Sequence, residues 1–474
     1  MTSVDRRPAT TTIRLFHVAI AFSLVGMLDA KGAVPARPNV LLIVGDDMGY
    51  ADVGFHGCKD IPTPHLDALA ASGARFTNGY VSGPYCSPTR AGLLTGRYQQ
   101  RFGHEYNPGG GDGSGERAAG LPTERITIAD RFQSAGYATG IVGKWHLGGA
   151  PKFHPQKRGF DEFFGFLGGA NAYLTDGKTG KIPNILRGAE PVVEQEYLTD
   201  AIGRESVAFI DRHKGDSWLL YVAFNAVHTP MHADDVRLEK FAAIPDKQRQ
   251  TYAAMMSAMD DAIGAIVGKV HDSGLAESTL VVFISDNGGP TMPTTTVNAS
   301  SNAPLRGSKR QTLEGGIRVP FVVSWKGHIP EGKVDDRPVI QLDILPTALA
   351  AAGIATDPGP GLDGVNLVPY LTGDNSEAPH DRLFWRFGEQ MAVREGNWKL
   401  VRYGENTTID PNESWPKLYD LSHDIGEDHD LAAQHPDKVA ALESAWQTWN
   451  ADNVDPLWGG GKKAGSKRRP RPNR

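Results

Sequence analysis

The sequence predicts an α/β protein: a large, mostly parallel sheet flanked by helices, followed by a smaller C-terminal α+β subdomain. Three observations predict it. Four short apolar runs alternate with helical patterns, the signature of strands joined through helices in a parallel sheet. Each run ends in polar residues, at the place where open α/β sheets bind ligands. A Gly/Pro-rich stretch, Asp357-Pro358-Gly359-Pro360-Gly361, then separates this body from short strand candidates and one helix.

The first run, residues 38–44, is β-branched and apolar, as a central buried strand requires. It ends in Gly45-Asp46-Asp47. A helix should open at Cys86, because Pro88 presets φ and lacks an N–H, which suits a first turn. It continues through Ala91-Gly92-Leu93-Leu94. A helical pattern over 127–135 leads to a strand over 137–142, followed by Gly143-Lys144-Trp145-His146. A helix over 199–213 precedes the strand 218–224 and the residues Asn225 to His228. A helix over 251–273 precedes the strand 279–284 and Ser285-Asp286-Asn287-Gly288-Gly289. A helix over 343–352 closes the body. Beyond the linker, 391–394, 398–402 and 418–421 read as a small antiparallel sheet, with a helix from 436 to about 450.

The chain has 474 residues and a formal net charge of −6. That is too long for one small domain. The near balance of charge gives no argument for a nucleic-acid partner. Cys58 and Cys86 are the only cysteines, so a disulfide scaffold is not expected. Arg6, Arg7 and Arg14 lead an apolar stretch over 15–28, with Val34-Pro35-Ala36 or Leu28-Asp29-Ala30 as cleavage sites. This predicts a signal peptide over 1–36 and export to a periplasm or the outside. The stretch is shorter than the ~20 apolar residues of a membrane span, and no stable span is expected. The expected division is then 37–356 for the catalytic body, 357–455 for the subdomain and 456–474 for a disordered basic tail. Asn298, Asn406 and Asn412 head Asn-X-Ser/Thr triplets, which matter only in a glycosylating host.

The strand ends carry the chemistry. If Asp46, Asp47, Asp286 and Asn287 converge, three carboxylates share one site. At ~4 Å and an effective dielectric near 20 each like-charge pair costs about 4 kcal/mol, so three approach about 12 kcal/mol. Such a cluster needs a cation or protonation, and all-oxygen donors favour calcium or magnesium. Asp pairs at strand ends also serve simply as helix caps. Cys86 at a helix N-terminus would face free N–H groups and a dipole that favour anions, and Arg90 adds a permanent charge with a planar fork of donors. A buried, inert cysteine is the plain alternative.

The run Pro84-Tyr85-Cys86-Ser87-Pro88-Thr89-Arg90-Ala91-Gly92-Leu93-Leu94-Thr95-Gly96-Arg97 resembles the signature of the type I sulfatases, whose cysteine becomes formylglycine, an aldehyde. Residues 39–54 resemble that family's opening metal segment, and 136–146 its second signature. Ser285-Asp286-Asn287-Gly288-Gly289, Gly307-Ser308-Lys309 and Glu314-Gly315-Gly316-Ile317-Arg318-Val319-Pro320 complete the pattern in order. The resemblance implies an alkaline-phosphatase-like fold, a calcium ion (magnesium less favoured) and hydrolysis of sulfate esters. It implies that Asp46, Asp47, Asp286, Asn287 and the modified Cys86 hold the metal. It implies further that Asp286 and Arg90 assist the hydrated aldehyde, that Lys144 and Lys309 stabilise sulfate, that His228 with Lys309 protonates the leaving alcohol, and that His146 takes the proton whose loss releases sulfate. A maturation enzyme is implied as a partner. Tyr85 is bulkier than the residue usual before the cysteine, and Thr89 replaces a commoner serine.

Residues 103–108 and the glycines after them read as a specificity loop. His104, Glu105, His154, Asn171 and His232 are the polar candidates for sugar contacts. The segment resembles sulfatases acting on N-acetylgalactosamine 6-sulfate and related polysaccharides, so a sulfated carbohydrate is the expected substrate. The rival readings are a phosphonate monoester or phosphodiester hydrolase of the same superfamily, and a non-catalytic sulfated-glycan binder. Simple binding has no need of the proton-transfer groups His146, His228, Lys144 and Lys309.

Overall fold

The structure is a computed structural model that describes residues 1–2, 37–109, 119–176, 180–293, 295–356, 361–404 and 415–459. The expected signal segment, the linker 357–360, Asn406, Asn412 and residues 460–474 lie outside these. Every described element belongs to a unit that begins at Val34.

The strands in chain order are β1 (Asn39–Gly45), β2 (Ala74–Phe76), β3 (Gly79–Tyr80), β4 (Ala138–Lys144), β5 (Glu162–Phe166), β6 (Leu186–Arg187), β7 (Glu190–Pro191), β8 (Trp218–Ala223), β9 (Thr279–Ser285), β10 (Phe321–Ser324), β11 (Lys333–Asp335), β12 (Val339–Ile340), β13 (Arg382–Phe387), β14 (Gln390–Glu395), β15 (Trp398–Arg402) and β16 (Lys417–Asp420). The large sheet runs β11-β2-β10-β9-β1-β8-β4-β5-β6-β7. Its centre, β9, β1, β8, β4 and β5, is parallel, and these include all four strands expected from the sequence. The flanks are mixed: β10 pairs antiparallel with both β9 and β2, and β5, β6 and β7 pair antiparallel in turn.

Every residue of β1, β8 and β9 is buried. This is why they read as continuous apolar runs rather than alternating ones. Alternate β1 side chains feed two cores. Leu41 and Ile43 pack with helices α1 (Pro64–Ala71), α4 (Leu198–Arg212) and α5 (Lys247–Asp272). Val40, Leu42 and Val44 pack with α2 (Cys86–Thr95), α3 (Ile128–Ser134) and α6 (Ile344–Ala351). The register places Gly45 beside Ser285, Val44 beside Ala223 and Gly143 beside Ala223. The polar residues that follow β1, β4, β8 and β9 therefore emerge on one edge of the sheet.

β13 to β16 form an antiparallel sheet against α7 (Pro436–Ala451). Its core includes Tyr80, Val81, Ile317 and Val319 from the large body together with Trp385, Leu400 and Trp446. A buried ionic cluster joins the two parts. Lys399 of β15 lies 2.8 Å from both Glu314 and Glu427, and all three side chains are fully buried. Burial opposes ionisation of Glu314, but Lys399, Arg318 and Arg394 outweigh it and bring its carboxyl down to about 2. Burial, with the charge of Glu314, pushes Glu427 up to about 7 against the pull of Lys399. The folded pair therefore holds one proton between about pH 2 and 7, while the unfolded carboxyls both titrate near 4.5. The Glu427 contribution to stability is complete below its unfolded value and is lost as pH rises from about 4.5 through 7. Denaturant titrations across that window should show the loss in the wild type and a flatter profile in Glu427→Gln, whose amide cannot titrate.

Candidate active site

Cys86 is the first residue of α2. Tyr85 caps the helix in extended conformation, and all ten helical residues are buried. Thr89 fixes the entry: its N–H donates to the Tyr85 carbonyl at 3.1 Å and its hydroxyl to the Gly83 carbonyl at 2.7 Å. Gly92 lets the helix lie close to its neighbours, since a Cβ there would stand 2.8 Å from the Ser82 hydroxyl. Ser87 donates its hydroxyl to the His146 carbonyl at 2.6 Å, and its N–H to Asn107 at 3.0 Å. Cys86 itself is fully buried, and burial pushes its thiol up to about 12 despite Lys144 and Lys309. At neutral pH this is an un-ionised thiol, a poor nucleophile.

The three carboxylates of the strand ends do converge. The Asp47 N–H donates to Asp286 Oδ1 at 3.3 Å, and Asn287 Nδ2 donates to Asp47 Oδ1 at 2.8 Å. Arg90 donates through Nε and Nη2 to Asp286 Oδ2 at 3.0 and 2.8 Å, and Nη2 lies 3.7 Å from Asp46. Lys144 donates to Asp46 at 2.5 Å and Lys309 to Asp47 at 2.8 Å. The repulsion that the sequence assigned to a metal or a proton is thus met largely by three buried cations. Burial opposes ionisation of Asp46, but Lys144, His228, Arg90 and Lys309 hold its carboxyl far below the usual range. Burial and the Asp46 charge push Asp286 up to about 6 against the pull of Arg90.

Room for a cation remains in this set. Asp46 Oδ1 and Asn287 Oδ1 are buried without a hydrogen-bond partner, which is rare for polar atoms in a folded interior. Donor atoms of Asp46, Asp47, Cys86 and His228 lie within 4.8 Å of one another. Unpaired carboxylate and amide oxygens match a hard divalent ion. The geometry brings His228 into this donor set, a place the sequence reading did not give it.

The two histidines border the cluster. His228 Nδ1 is 2.6 Å from the Thr229 carbonyl, which leaves Nε2 facing Asp47 at 3.6 Å. Burial lowers its pKa, offset in part by Asp47 and Asp46. His146 has φ +57° and Asp47 φ +60°, left-handed conformations outside glycine that cost about 1–3 kcal/mol each and gather at functional sites. His146 Nδ1 is buried without a partner. Burial, then Lys144 and Arg90, lower its pKa well below the ordinary value, so the ring is neutral and able to accept a proton.

The expected sugar contacts fare differently. His104 is fully buried with Nε2 2.6 Å from the Ser87 hydroxyl, and Glu105, 1 % exposed, is paired with Arg386 at 2.7 Å. Both are committed inside the protein because the loop that carries them is clamped from outside. Leu457 donates its N–H to the Gly103 carbonyl at 2.9 Å, and the Trp458 indole donates to the Tyr106 carbonyl at 2.9 Å. Residues 456–459, placed in the tail from sequence, belong to this clamp. His154 meets the Gly188 carbonyl at 3.2 Å, Asn171 donates to the Pro183 carbonyl at 2.9 Å, and the His232 carbonyl accepts from Tyr197 at 2.8 Å. Among the described residues these contacts do not reach the Cys86 cluster. Asn298 is no glycan acceptor in the folded chain: it is fully buried and donates to the Asp47 and Val227 carbonyls at 3.0 and 2.8 Å. Its supporting role, and that of Tyr221 at 3.3 Å from Arg90, had no separate signal in the sequence.

The comparisons with known proteins match this geometry. The sulfatase family model covers residues 38–354, and a second model, N-sulphoglucosamine sulphohydrolase, C-terminal, covers 307–447. N-acetylgalactosamine-6-sulfatase of Sus scrofa is 34% identical over 409 residues, covering 81% of this chain and 75% of its own. Arylsulfatase A of Homo sapiens is 35% identical over 467 residues, covering 89% of each chain. The crystal structure of Ps i-CgsB in complex with k-i-k-neocarrahexaose superposes with a TM-score of 0.81 at 36% identity, over 90% of this chain and 95% of that one. The fold is alkaline-phosphatase-like, and with a family model spanning the sheet and every strand end that builds the site, the chain belongs to the sulfatases and is a sulfuric ester hydrolase.

Proposed function

We propose that the chain removes sulfate from a sulfated carbohydrate, using a formylglycine formed from Cys86 and a calcium ion held by Asp46, Asp47, Asp286 and Asn287. The observation that carries this reading is the burial of an un-ionised Cys86 among these carboxylates, Lys144 and Lys309. A thiol so placed is useless as a nucleophile, while a different group at that atom would stand where cations and proton acceptors converge. The likeness to Ps i-CgsB, whose crystal structure holds neocarrahexaose, and to N-acetylgalactosamine-6-sulfatase supports a glycan substrate.

The hydrated aldehyde supplies one hydroxyl to attack sulfur and a second whose deprotonation releases sulfate and restores the carbonyl. The calcium ion, when bound, carries negative charge on the sulfate oxygens. The chain's own residues do the rest. Asp286, its pKa raised by burial and by Asp46, takes the proton of the attacking hydroxyl, and Arg90 holds that carboxylate in place. Lys144 and Lys309 meet the charge that shifts onto sulfate oxygens. Burial works against the Lys309 charge, but Asp47, Cys86 and Asp46 raise its pKa well above the ordinary value and keep it protonated. His228, in the imidazolium form that carries a proton on Nε2 as well as on the Nδ1 bonded to the Thr229 carbonyl, hands the Nε2 proton to the leaving alcohol with Lys309 and is left neutral. His146, neutral and unpartnered at Nδ1, accepts the proton of the second hydroxyl. We place the mature chain outside the cytosol on the Arg-led apolar stretch over 15–28. No helix among the described residues is long and apolar enough to cross a membrane.

Mass spectrometry of the tryptic peptide 76–90 from natively produced protein tests the modification. A peptide lighter than the cysteine form, and reactive toward hydrazides, is expected; an intact thiol in active protein would refute the aldehyde. Dialysis against a calcium chelator should remove activity, with calcium restoring it better than magnesium. Faster turnover of phosphonate monoesters than of any sulfate ester would move the assignment to that chemistry.

A further inference from the structure

Arg310 follows Lys309 on the loop that delivers that lysine to the site. Its φ is +73°, a left-handed conformation that an arginine rarely adopts. The backbone is pinned on both sides: its N–H donates to the Pro84 carbonyl at 2.7 Å, and its carbonyl accepts from Gln390 Nε2 at 2.9 Å. The side chain is exposed. Its guanidinium has no carboxylate partner among the described residues and lies 5.7 Å from the centroid of the Tyr85 ring. Lys309 Nζ lies 5.5 Å from the same centroid while bonded to Asp47 inside the site. The two cations are therefore separated by no more than the sum of those distances. Tyr85 is the residue before Cys86, half-buried, with its ring centroid 5.8 Å from that of Phe387 in an edge-to-face contact, and Phe387 packs on Tyr106 with centroids 5.1 Å apart.

We infer that Tyr85 and Arg310 form an accessory subsite that reads a second acidic group on the glycan, beside the sulfate being cleaved. This rests on the sulfated-carbohydrate reading above. The backbone contacts fix the exposed Arg310 directly after the lysine that enters the site, in a left-handed conformation of the kind that clusters at functional sites. A guanidinium presents paired donors that match a sulfate or a carboxylate in two parallel hydrogen bonds. The Tyr85 ring, packed against Phe387, lies under both cations and ties the accessory guanidinium to the lysine inside the site.

The test is substrate discrimination. Wild type, Arg310→Ala and Arg310→Lys are assayed on three disaccharides that share one scissile sulfate and carry at the neighbouring position a hydroxyl, a second sulfate or a carboxylate. Wild type should prefer a doubly acidic disaccharide by about 10- to 100-fold in kcat/KM, the range of one charge-assisted contact. Arg310→Ala should lose that preference mainly through KM, and Arg310→Lys should keep part of it. The sulfate and carboxylate arms identify which acid is read. An unchanged preference in Arg310→Ala, or equal losses on all three substrates, overturns the subsite. If wild type cleaves none of them but cleaves a soluble aryl sulfate, the carbohydrate reading itself falls. The subsite is then judged by calorimetric binding of the disulfated disaccharide, where equal affinity for wild type and Arg310→Ala rejects it and a tenfold weaker variant supports it.

Discussion

Cys86→Ala should fold as the wild type does and hydrolyse no sulfate ester above background. The side chain is fully buried in α2, and among the described residues its thiol makes no hydrogen bond that the alanine would leave broken. The stability cost is that of deleting one small buried atom. The catalytic cost is the loss of the attacking group, on the order of 10⁴-fold or more by comparison with nucleophile deletions in other hydrolases. Cys86→Ser sharpens the result. A serine hydroxyl at that atom can take sulfate from an ester once, but it has no second hydroxyl whose proton can leave to expel it. One sulfate per protein should therefore accumulate, seen as a stoichiometric burst of released alcohol and a heavier peptide 76–90. Sustained turnover by the serine variant would refute the proposed chemistry, because it would show that the second hydroxyl is not needed.

Lys399→Ala should be among the most destabilising substitutions in the chain while touching nothing that reacts. Lys399 is fully buried, 2.8 Å from Glu314 and from Glu427. Removing it leaves two buried carboxyls without their shared cation, and breaking a buried ion pair from one side costs about 3–5 kcal/mol. The effect should grow as pH rises, since both carboxyls then lose their protons with no positive charge between them. Glu314 also accepts from the Tyr80 hydroxyl at 2.6 Å and is 3.2 Å from Arg318, so the damage reaches the seam between the two sheets. Chemical denaturation at pH 5 and pH 8 measures it. Lys399→Met, which preserves the volume, should remain well below wild type at pH 8. Equal stability of Lys399→Ala and wild type at pH 8 would mean that the cluster does not hold the seam.

The parallel centre of the fold was legible because burial on both faces writes itself as unbroken apolar runs. Residues 39–44, 218–223 and 279–284 are all of this kind, and the structure makes each a strand with every residue buried. β10 was not legible: four residues of strand, Phe321–Ser324, are too few to show a period, and their antiparallel sense comes only from packing against β9 and β2. The site divides in the same way. Asp46, Asp47, Asp286 and Asn287 could be anticipated together because the register of adjacent strands aligns their ends. His104 and Glu105, expected among the sugar contacts, lie buried in the fold, and the sequence could not show it because polarity in a loop looks the same whether water or another segment receives it. What receives them is Ser87, 17 residues away, with Arg386 and a clamp of residues 456–459, the last two reached across hundreds of positions that no local pattern records.

That clamp also sets a timetable for synthesis. Trp458 closes over Tyr106, 352 residues earlier in the chain. At about 5–20 residues per second, roughly 20–70 s pass between the appearance of the loop and the appearance of its cover. If Cys86 is converted as proposed, this is the interval for it: the segment around Cys86 then has neither its outer clamp nor the β13 to β16 sheet to enclose it, and a maturation enzyme could reach a side chain that the finished protein buries. A chain that closes first carries its thiol permanently out of reach. The fraction of active molecules is then decided by a race between enzymatic access and translation, and slowing elongation should raise it.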